Sequence, residues 1–313
     1  MLESAYKVGL NQAARTVAAL SDRVEATPRQ IYLENWRRRN SALDGLFYDV
    51  KVISAAETSK IGPSDAREGT ILIVPPTGQS ELRLCTSIDD FIAQGGSDVD
   101  IIAIAGVGSS ALGSAAFARN VADALGRPAA AVVSGYGLAD LMTEALGGYF
   151  LFGQLNGLRH MFEPLDALAK SHQPTISILA EQTARKSHDT RTVAAMLAHP
   201  KLRFTVLTGH SKGNLVLSEA LYSIRDADAS LCRKLAKISK IVTVSAVIDM
   251  PRPFSDITDV IGALDWFGGF NSRLDLRPDR LAPNAWHHTN TELPFALDVR
   301  DTFTGLVADG VLR

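Results

Sequence analysis

Cysteine is scarce in this sequence. Only Cys85 and Cys232 occur among 313 residues, and neither has a second cysteine or a histidine nearby at metal-ligand spacing. A disulfide framework is therefore excluded, and no cysteine-based metal site is indicated. Such sparing use of cysteine favours a reducing compartment.

An excess of charge of one sign is also missing. The formal net charge is -2, which leaves no electrostatic footprint for nucleic acid. The run of three arginines at 37–39 is too short to change this, and we expect it to be a solvated helix face. Nucleic acid is therefore not an expected partner, whereas a homo-oligomer stays open.

Long hydrophobic runs are absent as well. No stretch reaches the roughly 18 consecutive apolar residues of a membrane helix, and the first twenty residues carry Glu3, Lys7 and Arg15, unlike a signal peptide. We expect no integral membrane segment and a cytoplasmic location. Helical spacing of the apolar residues predicts that 1–45 is a helical extension packed on a main domain, 46–313.

Short apolar strands that alternate with helices are abundant. With 46% hydrophobic residues, the chain can bury a large core. Leu46–Ile53 and Thr70–Gly78 are predicted to be neighbouring strands. Later strands with no polar alternation predict a doubly wound, mostly parallel sheet with helices on both faces. Their sequences are IIAIAG, PAAAVVSG, RFTVLTG and KIVTVSAV.

The third of these strands runs into the sequence GHSKG, residues 209–213, and then into a helix. A serine on a sharp strand-to-helix turn stands clear of the sheet and can act as a nucleophile. The crowded turn needs small neighbours, which Gly209 and Gly213 provide, and His210 is expected to support it. The alternative is that Ser211 only caps its helix.

This stretch resembles the G-H-S-x-G nucleophile elbow of the α/β-hydrolase superfamily, common among its lipases and esterases. The resemblance covers roughly residues 70 to 300. Many lipases have a large apolar residue and a second glycine where this chain has Lys212 and Asn214, and we expect the lysine side chain to point to solvent. The resemblance implies a small-molecule carboxylic ester substrate, an acyl-enzyme intermediate, and no metal or organic cofactor.

The order of residues in the chain limits the candidates for the general base. In this superfamily the order is serine, then a carboxylate, then histidine, so only His287 and His288 qualify, since both follow Ser211. Asn290 could tie down the loop through the pattern His-x-x-Asn, which favours His287, but His288 remains an alternative. The two could also be ordinary loop histidines.

The acid has several candidates. Asp265 follows a second apolar run, ITDVIGAL, and is our first choice because the resemblance places the acid on the turn after the next-to-last strand. Asp249, just past the preceding strand, is the second choice. Asp256 and Asp259 are expected before or inside a short strand, and a surface carboxylate is the alternative for each.

Two amides are needed for the oxyanion of an acyl-transfer site. One belongs to Lys212, directly after the nucleophile. The other is expected from Val107, Gly108 or Ser109, in the loop after IIAI. The earlier loop VPPTGQS is the competitor, and it could donate only from Thr77 onward because its prolines lack an amide hydrogen.

Residues 106–111 also fit G-x-G-x-x-A, the dinucleotide fingerprint. That fingerprint requires an acidic residue about 20 positions later, and no acid occurs at the end of the next strand before Asp140. A nucleotide-binding protein is therefore the weaker alternative.

The other alternative functions are a thioesterase or acyltransferase with the same triad and a non-catalytic binding protein. The aromatic segment Gly147–Phe162 could line an apolar cleft or form a buried helix.

Overall fold

A computed structural model describes residues 44–62, 66–106, 109–134, 187–272 and 277–313. The described strands are β1 (Ile71–Val74), β2 (Arg83–Cys85), β3 (Ile101–Ile104), β4 (Ala129–Val132), β5 (Val206–His210), β6 (Lys240–Val244), β7 (Ile257–Gly262) and β8 (Arg280–Ala282). They form one eight-stranded sheet with the order β2-β1-β4-β3-β5-β6-β7-β8.

The sheet is mostly parallel. The strands β3 to β8 all run in one direction, whereas β1 is antiparallel to both β2 and β4. Because neighbouring parallel strands need long crossover connections, helices alternate with the strands along the chain. The predicted α/β class is confirmed.

Helices cover both faces of this sheet. The strands are buried on both sides: Ile71 and Ile73 pack into one core, and Leu72 and Val74 into the other. The helices that the structure describes are α1 (Ala55–Lys60), α2 (Ile88–Ala93), α3 (Ala111–Leu125), α4 (His188–Ala198), α5 (Lys212–Ala227), α6 (Ala229–Ile238), α7 (Trp266–Phe270) and α8 (Val299–Ala308). The first core also receives α2, α4, α5 and α6, and the second receives α3 and α8.

One predicted strand is wrong. Residues 44–47 are helical and Val50–Val52 form a 3-10 turn, so Leu46–Ile53 is not a strand, and the partners of β1 are β2 and β4. Tyr48 and Val50 bury their side chains in the core on the α3 side of the sheet. Their alternation with polar residues therefore reflects packing of an irregular segment. The extension 1–45, apart from its last two residues, and the segment Gly147–Phe162 lie outside the described residues.

The carboxyl ends of the parallel strands meet at one edge of the sheet. Ile104 of β3 pairs with Gly209 of β5, and Val244 of β6 pairs with His210 of β5 and Val260 of β7. The turns after these strands are consequently neighbours, which is where open α/β sheets place their ligand sites. Within the part of the chain that the structure describes, none of the helices has the length and apolar character needed to cross a bilayer.

The amino terminus of α3 is covered by a carboxylate of the chain itself. Asp44 accepts hydrogen bonds from the Ser110 amide at 3.1 Å and from the Ser110 hydroxyl. A Cβ on Gly113 would lie 2.2 Å from Asp44 Oδ1, so the glycine makes room for this side chain. Burial raises the pKa of Asp44 from 3.8 to about 7, against the lowering effect of its hydrogen bonds. Asp44 thus occupies the position that a nucleotide phosphate would take at this helix end.

The raised pKa of Asp44 predicts a pH-dependent stability. Native Asp44 keeps its proton up to about pH 7, whereas the unfolded chain releases it near 3.8. In this interval the native state binds more protons, so its stability falls as the pH rises. Between pH 5 and pH 8 we expect wild type to lose roughly 2 to 3 kcal/mol relative to Asp44→Asn, measured by urea denaturation.

A second helix-capping carboxylate provides the control. Asp228 accepts hydrogen bonds from the amides of Ser230 and Leu231 at 2.9 and 3.0 Å, and these bonds lower its pKa. It is therefore ionised in both states above pH 5, and Asp228→Asn should leave the pH 5 to pH 8 difference unchanged. Parallel pH profiles for wild type and Asp44→Asn would contradict the assignment of this effect to Asp44.

Candidate active site

The turn between β5 and α5 presents Ser211 in a strained conformation. Its backbone angles are φ 52° and ψ -120°, a region that residues with a Cβ rarely occupy. The Ser211 amide donates to the carbonyl oxygen of Val244 at 2.8 Å, which holds the turn against the end of β6. Such strain persists only where the surroundings enforce it, and it concentrates at functional sites.

Both glycines of the turn are required by close backbone approach. A Cβ at position 213 would lie 2.1 Å from the carbonyl oxygen of Ile104, and one at position 209 would lie 2.6 Å from the amide nitrogen of Asn214. Backbone atoms on both sides therefore exclude any larger residue. The strand-turn-helix geometry predicted for 209–213 is confirmed.

Ser211, His287 and Asp265 form one hydrogen-bonded chain. Ser211 Oγ lies 2.9 Å from His287 Nε2, and His287 Nδ1 lies 3.0 Å from each carboxylate oxygen of Asp265. The carboxylate can only accept, so Nδ1 carries the proton and Nε2 is left to accept from the serine hydroxyl. This is the tautomer that a general base needs.

The carboxylate of Asp265, the first-choice acid, is fixed by the first turn of the short helix α7. The amide of Gly268 donates to Asp265 Oδ1 at 2.6 Å, and a Cβ on Gly268 would lie 2.5 Å from Asp265 Oδ2. The carboxylate is fully buried, and the His287 ring is 4% exposed. Phe267 packs edge-on against His287 with ring centroids 4.7 Å apart, so the imidazole is held on several sides.

The other predicted acids and the second histidine lie elsewhere. His288 Nε2 donates to the carbonyl oxygen of Pro294 at 3.0 Å, and burial lowers the pKa of its ring. The carboxylate that meets the histidine is that of Asp265, although Asp249 does follow β6. Asp256 precedes β7, and Asp259 lies within it, where its Oδ1 accepts from the hydroxyl of Thr243.

The loop after β3 adjoins the elbow, as expected for the second oxyanion donor. A Cβ on Gly106 would lie 3.1 Å from the Cβ of Ser211. The candidate donors Val107 and Gly108 lie outside the described residues. Ser109 is described, and its amide donates to the carbonyl oxygen of Gly106 at 3.3 Å, so this amide is engaged within the loop.

The two remaining oxyanion candidates are separated by the sheet. Lys212 is the first residue of α5, and its amide directly follows the nucleophile. Thr77 follows β1, whose antiparallel direction puts it at the opposite edge, and its amide donates to Asp123 Oδ1 at 2.5 Å. The competing loop therefore does not reach Ser211.

The two residues that depart from the lipase pattern are both buried in the elbow. The expectation that Lys212 points to solvent is wrong: its side chain is buried, and burial lowers its pKa to about 8 against the raising effect of Glu68. Asn214 donates from Nδ2 to the carbonyl oxygens of Val244 at 3.0 Å and Ala246 at 2.9 Å. It therefore ties α5 to the segment after β6.

Tyr48 is a residue of the site that sequence reasoning missed. Its hydroxyl lies 2.6 Å from the amide of Gly106 and 3.0 Å from His210 Nδ1. It lies 162 positions before His210, and no spacing or motif joins the two. The apolar alternation of residues 46–53 indicated only that part of this segment is buried, and only the folded chain shows which groups the Tyr48 hydroxyl meets.

Comparisons with known proteins add no relative. No family model matches the chain, and no curated protein or solved structure matches it.

Among the described residues, no group of three or more histidine, cysteine or carboxylate side chains is arranged to hold a metal ion.

Proposed function

We propose that the protein is a serine hydrolase that cleaves a carboxylic ester through an acyl-enzyme. The observation that carries this proposal is the buried chain from Ser211 Oγ to His287 Nε2 at 2.9 Å and from His287 Nδ1 to Asp265 at 3.0 Å. These distances lie within the range for direct proton transfer and for holding the imidazole tautomer.

The first half of the reaction forms the acyl-enzyme. Ser211 Oγ attacks the ester carbonyl carbon while its proton passes to His287 Nε2, and the ionised Asp265 stabilises the resulting imidazolium. The amide of Lys212 and one amide of the loop after β3 hold the oxyanion of the tetrahedral intermediate. The carbon-oxygen bond to the alcohol then breaks, and the alcohol leaves with the proton from Nε2.

The second half returns the enzyme to its starting state. Water takes the place of the alcohol, gives its proton to His287 Nε2 and attacks the acyl carbon. Collapse of the second tetrahedral intermediate releases the carboxylic acid, and Ser211 recovers its proton. A thioester would follow the same steps with a thiol as the leaving group.

The topology supports an α/β-hydrolase type of fold. The nucleophile follows β5, the acid follows β7, and the base lies in the loop after β8. The oxyanion loop follows β3, the direct neighbour of β5. This combination matches the order of nucleophile, acid and base and the placement of the oxyanion loop known for that fold. Asp44 at the start of α3 counts against a nucleotide there.

Covalent labelling tests the proposal directly. The purified protein is treated with a fluorophosphonate probe, which reacts with activated serines. We expect stoichiometric labelling of wild type and none of Ser211→Ala, because only an oxygen beside a general base is nucleophilic enough.

Ser218→Ala is the matched control for that experiment. Ser218 is a buried serine two turns further along α5, and its hydroxyl donates to the carbonyl oxygen of Asp249 at 2.6 Å. Its replacement should leave labelling intact. A folded wild type that takes no label, or label that persists in Ser211→Ala, would refute the proposed function.

A further inference from the structure

The side chain of His210 lies next to the proposed nucleophile but outside the triad. His210 Nδ1 lies 3.0 Å from the hydroxyl oxygen of Tyr48, and Nε2 lies 2.9 Å from the backbone carbonyl oxygen of His287. The same Tyr48 oxygen lies 2.6 Å from the amide nitrogen of Gly106. His210 and Tyr48 are 1% and 2% exposed, so the whole chain of contacts is removed from water.

The partners allow one arrangement of protons in this chain. The carbonyl oxygen of His287 only accepts, so His210 Nε2 carries a proton. The Gly106 amide donates to the Tyr48 oxygen, which leaves the phenolic hydrogen to be donated to His210 Nδ1. Burial, chiefly, lowers the pKa of His210 to about 3 and raises that of Tyr48. Both groups are therefore neutral at physiological pH, as the arrangement requires.

We propose that Tyr48 and His210 are positioning residues that hold the backbone of the base His287 in register with the oxyanion loop at Gly106. This inference rests on the proposed hydrolase mechanism. The polar atoms of His210 and Tyr48 bond to each other, to the Gly106 amide and to the His287 carbonyl. They act by joining the two loops that carry the base and the second oxyanion donor.

Two neighbouring contacts place Tyr48 in a segment that is bound to the base loop. The carbonyl oxygen of Phe47 accepts from the amide of Thr289 at 2.7 Å, and the carbonyl oxygen of Gly45 accepts from Asn290 Nδ2 at 2.6 Å. Both donors directly follow the histidine pair. The segment that contains Tyr48 therefore holds the base loop beyond His287, while His210 holds the carbonyl of His287 itself.

Loss of the hydrogen bond to the His287 carbonyl has a defined consequence. A shift of about 1 Å in a catalytic group can reduce the rate about 100-fold.

The neutral state of His210 also matters for the charge of its neighbour, because the ring centroid of His210 lies 5.2 Å from that of His287. A positive charge there would oppose protonation of His287, which every turnover requires.

Three variants test the hydrogen bonds of His210 Nδ1 and His210 Nε2 separately. In His210→Gln, the side-chain amide nitrogen can replace Nε2 and still donate to the His287 carbonyl. In His210→Asn, the shorter amide can replace Nδ1 and accept from Tyr48, but nothing reaches His287. Tyr48→Phe keeps the aromatic packing and removes the hydroxyl.

The expected results concern kcat rather than KM. With 4-nitrophenyl acetate as the substrate, we expect His210→Asn to lose about 10-fold to 100-fold in kcat with little change in KM. Tyr48→Phe should lose about 10-fold, and His210→Gln should lose least. The downfield proton resonance of the His287 Nδ1 hydrogen, shared with Asp265, should broaden in His210→Asn and persist in His210→Gln.

A buried hydroxyl far from the site provides the stability control. Ser239 donates from its hydroxyl to the carbonyl oxygen of Phe204 at 2.8 Å, at the amino end of β6. Ser239→Ala should lose stability comparable to Tyr48→Phe without loss of kcat. If His210→Asn does not fold, the comparison of Tyr48→Phe with Ser239→Ala decides the question.

The outcomes distinguish this inference from its premise. Absence of fluorophosphonate labelling in wild type would refute the serine hydrolase, whereas normal labelling of wild type leaves only the positioning role in question. Unchanged kcat and an unchanged His287 resonance in folded Tyr48→Phe and His210→Asn would overturn the positioning role. A loss of kcat equal in His210→Gln and His210→Asn would contradict the assigned contact to His287.

Discussion

Replacement of His287 by alanine is expected to lower kcat for ester hydrolysis by about 10⁴-fold to 10⁶-fold, while His288→Ala lowers it less than 10-fold. The two residues are adjacent, yet their imidazoles have different partners. Nε2 of His287 faces Ser211 Oγ, and Nε2 of His288 faces the carbonyl oxygen of Pro294. Steady-state kinetics with 4-nitrophenyl acetate measure the difference.

The acid is tested in the same assay. We expect Asp265→Asn to lose about 10⁴-fold, because the amide favours the wrong tautomer of His287. Asp249→Asn, which replaces the other acid candidate, should lose less than 10-fold. Comparable losses in His287→Ala and His288→Ala, or a larger loss in Asp249→Asn than in Asp265→Asn, would show that this triad is assigned wrongly.

Gly213→Ala is expected to cause the largest loss of stability among conservative substitutions at the site. The new methyl group would lie 2.1 Å from the carbonyl oxygen of Ile104 and 2.8 Å from that of Ala105. Both atoms belong to the backbone at the end of β3, so relief requires the strand or the elbow to move. We expect a loss of about 3 kcal/mol or more in the free energy of unfolding.

Gly305→Ala is the matched control for that substitution. Gly305 lies in α8, and a Cβ there has nothing within 4 Å. Alanine is the better helix former, so this variant should gain about 0.5 to 1 kcal/mol. Urea denaturation of both variants measures the contrast. A Gly213→Ala protein as stable as Gly305→Ala would contradict the close approach of the elbow to β3.

The elbow was predictable because its signal is local. The apolar strand, the small residues at 209 and 213 and the helix that follows are all contained in about twenty consecutive residues. Asp265 was also within reach, since it follows an apolar run that forms β7. In both cases the backbone conformation depends mainly on neighbours in the chain, so the sequence carries the information.

The choice between His287 and His288 could not be made in this way. Adjacent loop residues have the same local signals, and their side chains differ only in the contacts that the fold supplies. Asn290 was expected to tie down the loop, and it does so by donating to the carbonyl oxygen of Gly45. That partner lies 245 positions away, at the end of the segment that was predicted to be a helical extension.

By itself, the sequence determined the α/β class, the strand-turn-helix at Ser211 and the turn that carries Asp265, because each depends on a short stretch with its own hydrophobic period and turn residues. Only the tertiary structure decided that His287 faces the serine and that Tyr48 and His210 join its backbone to Gly106. Hydrogen-bond partners across distant segments depend on how the strands and helices pack, and residue spacing along the chain does not encode that packing.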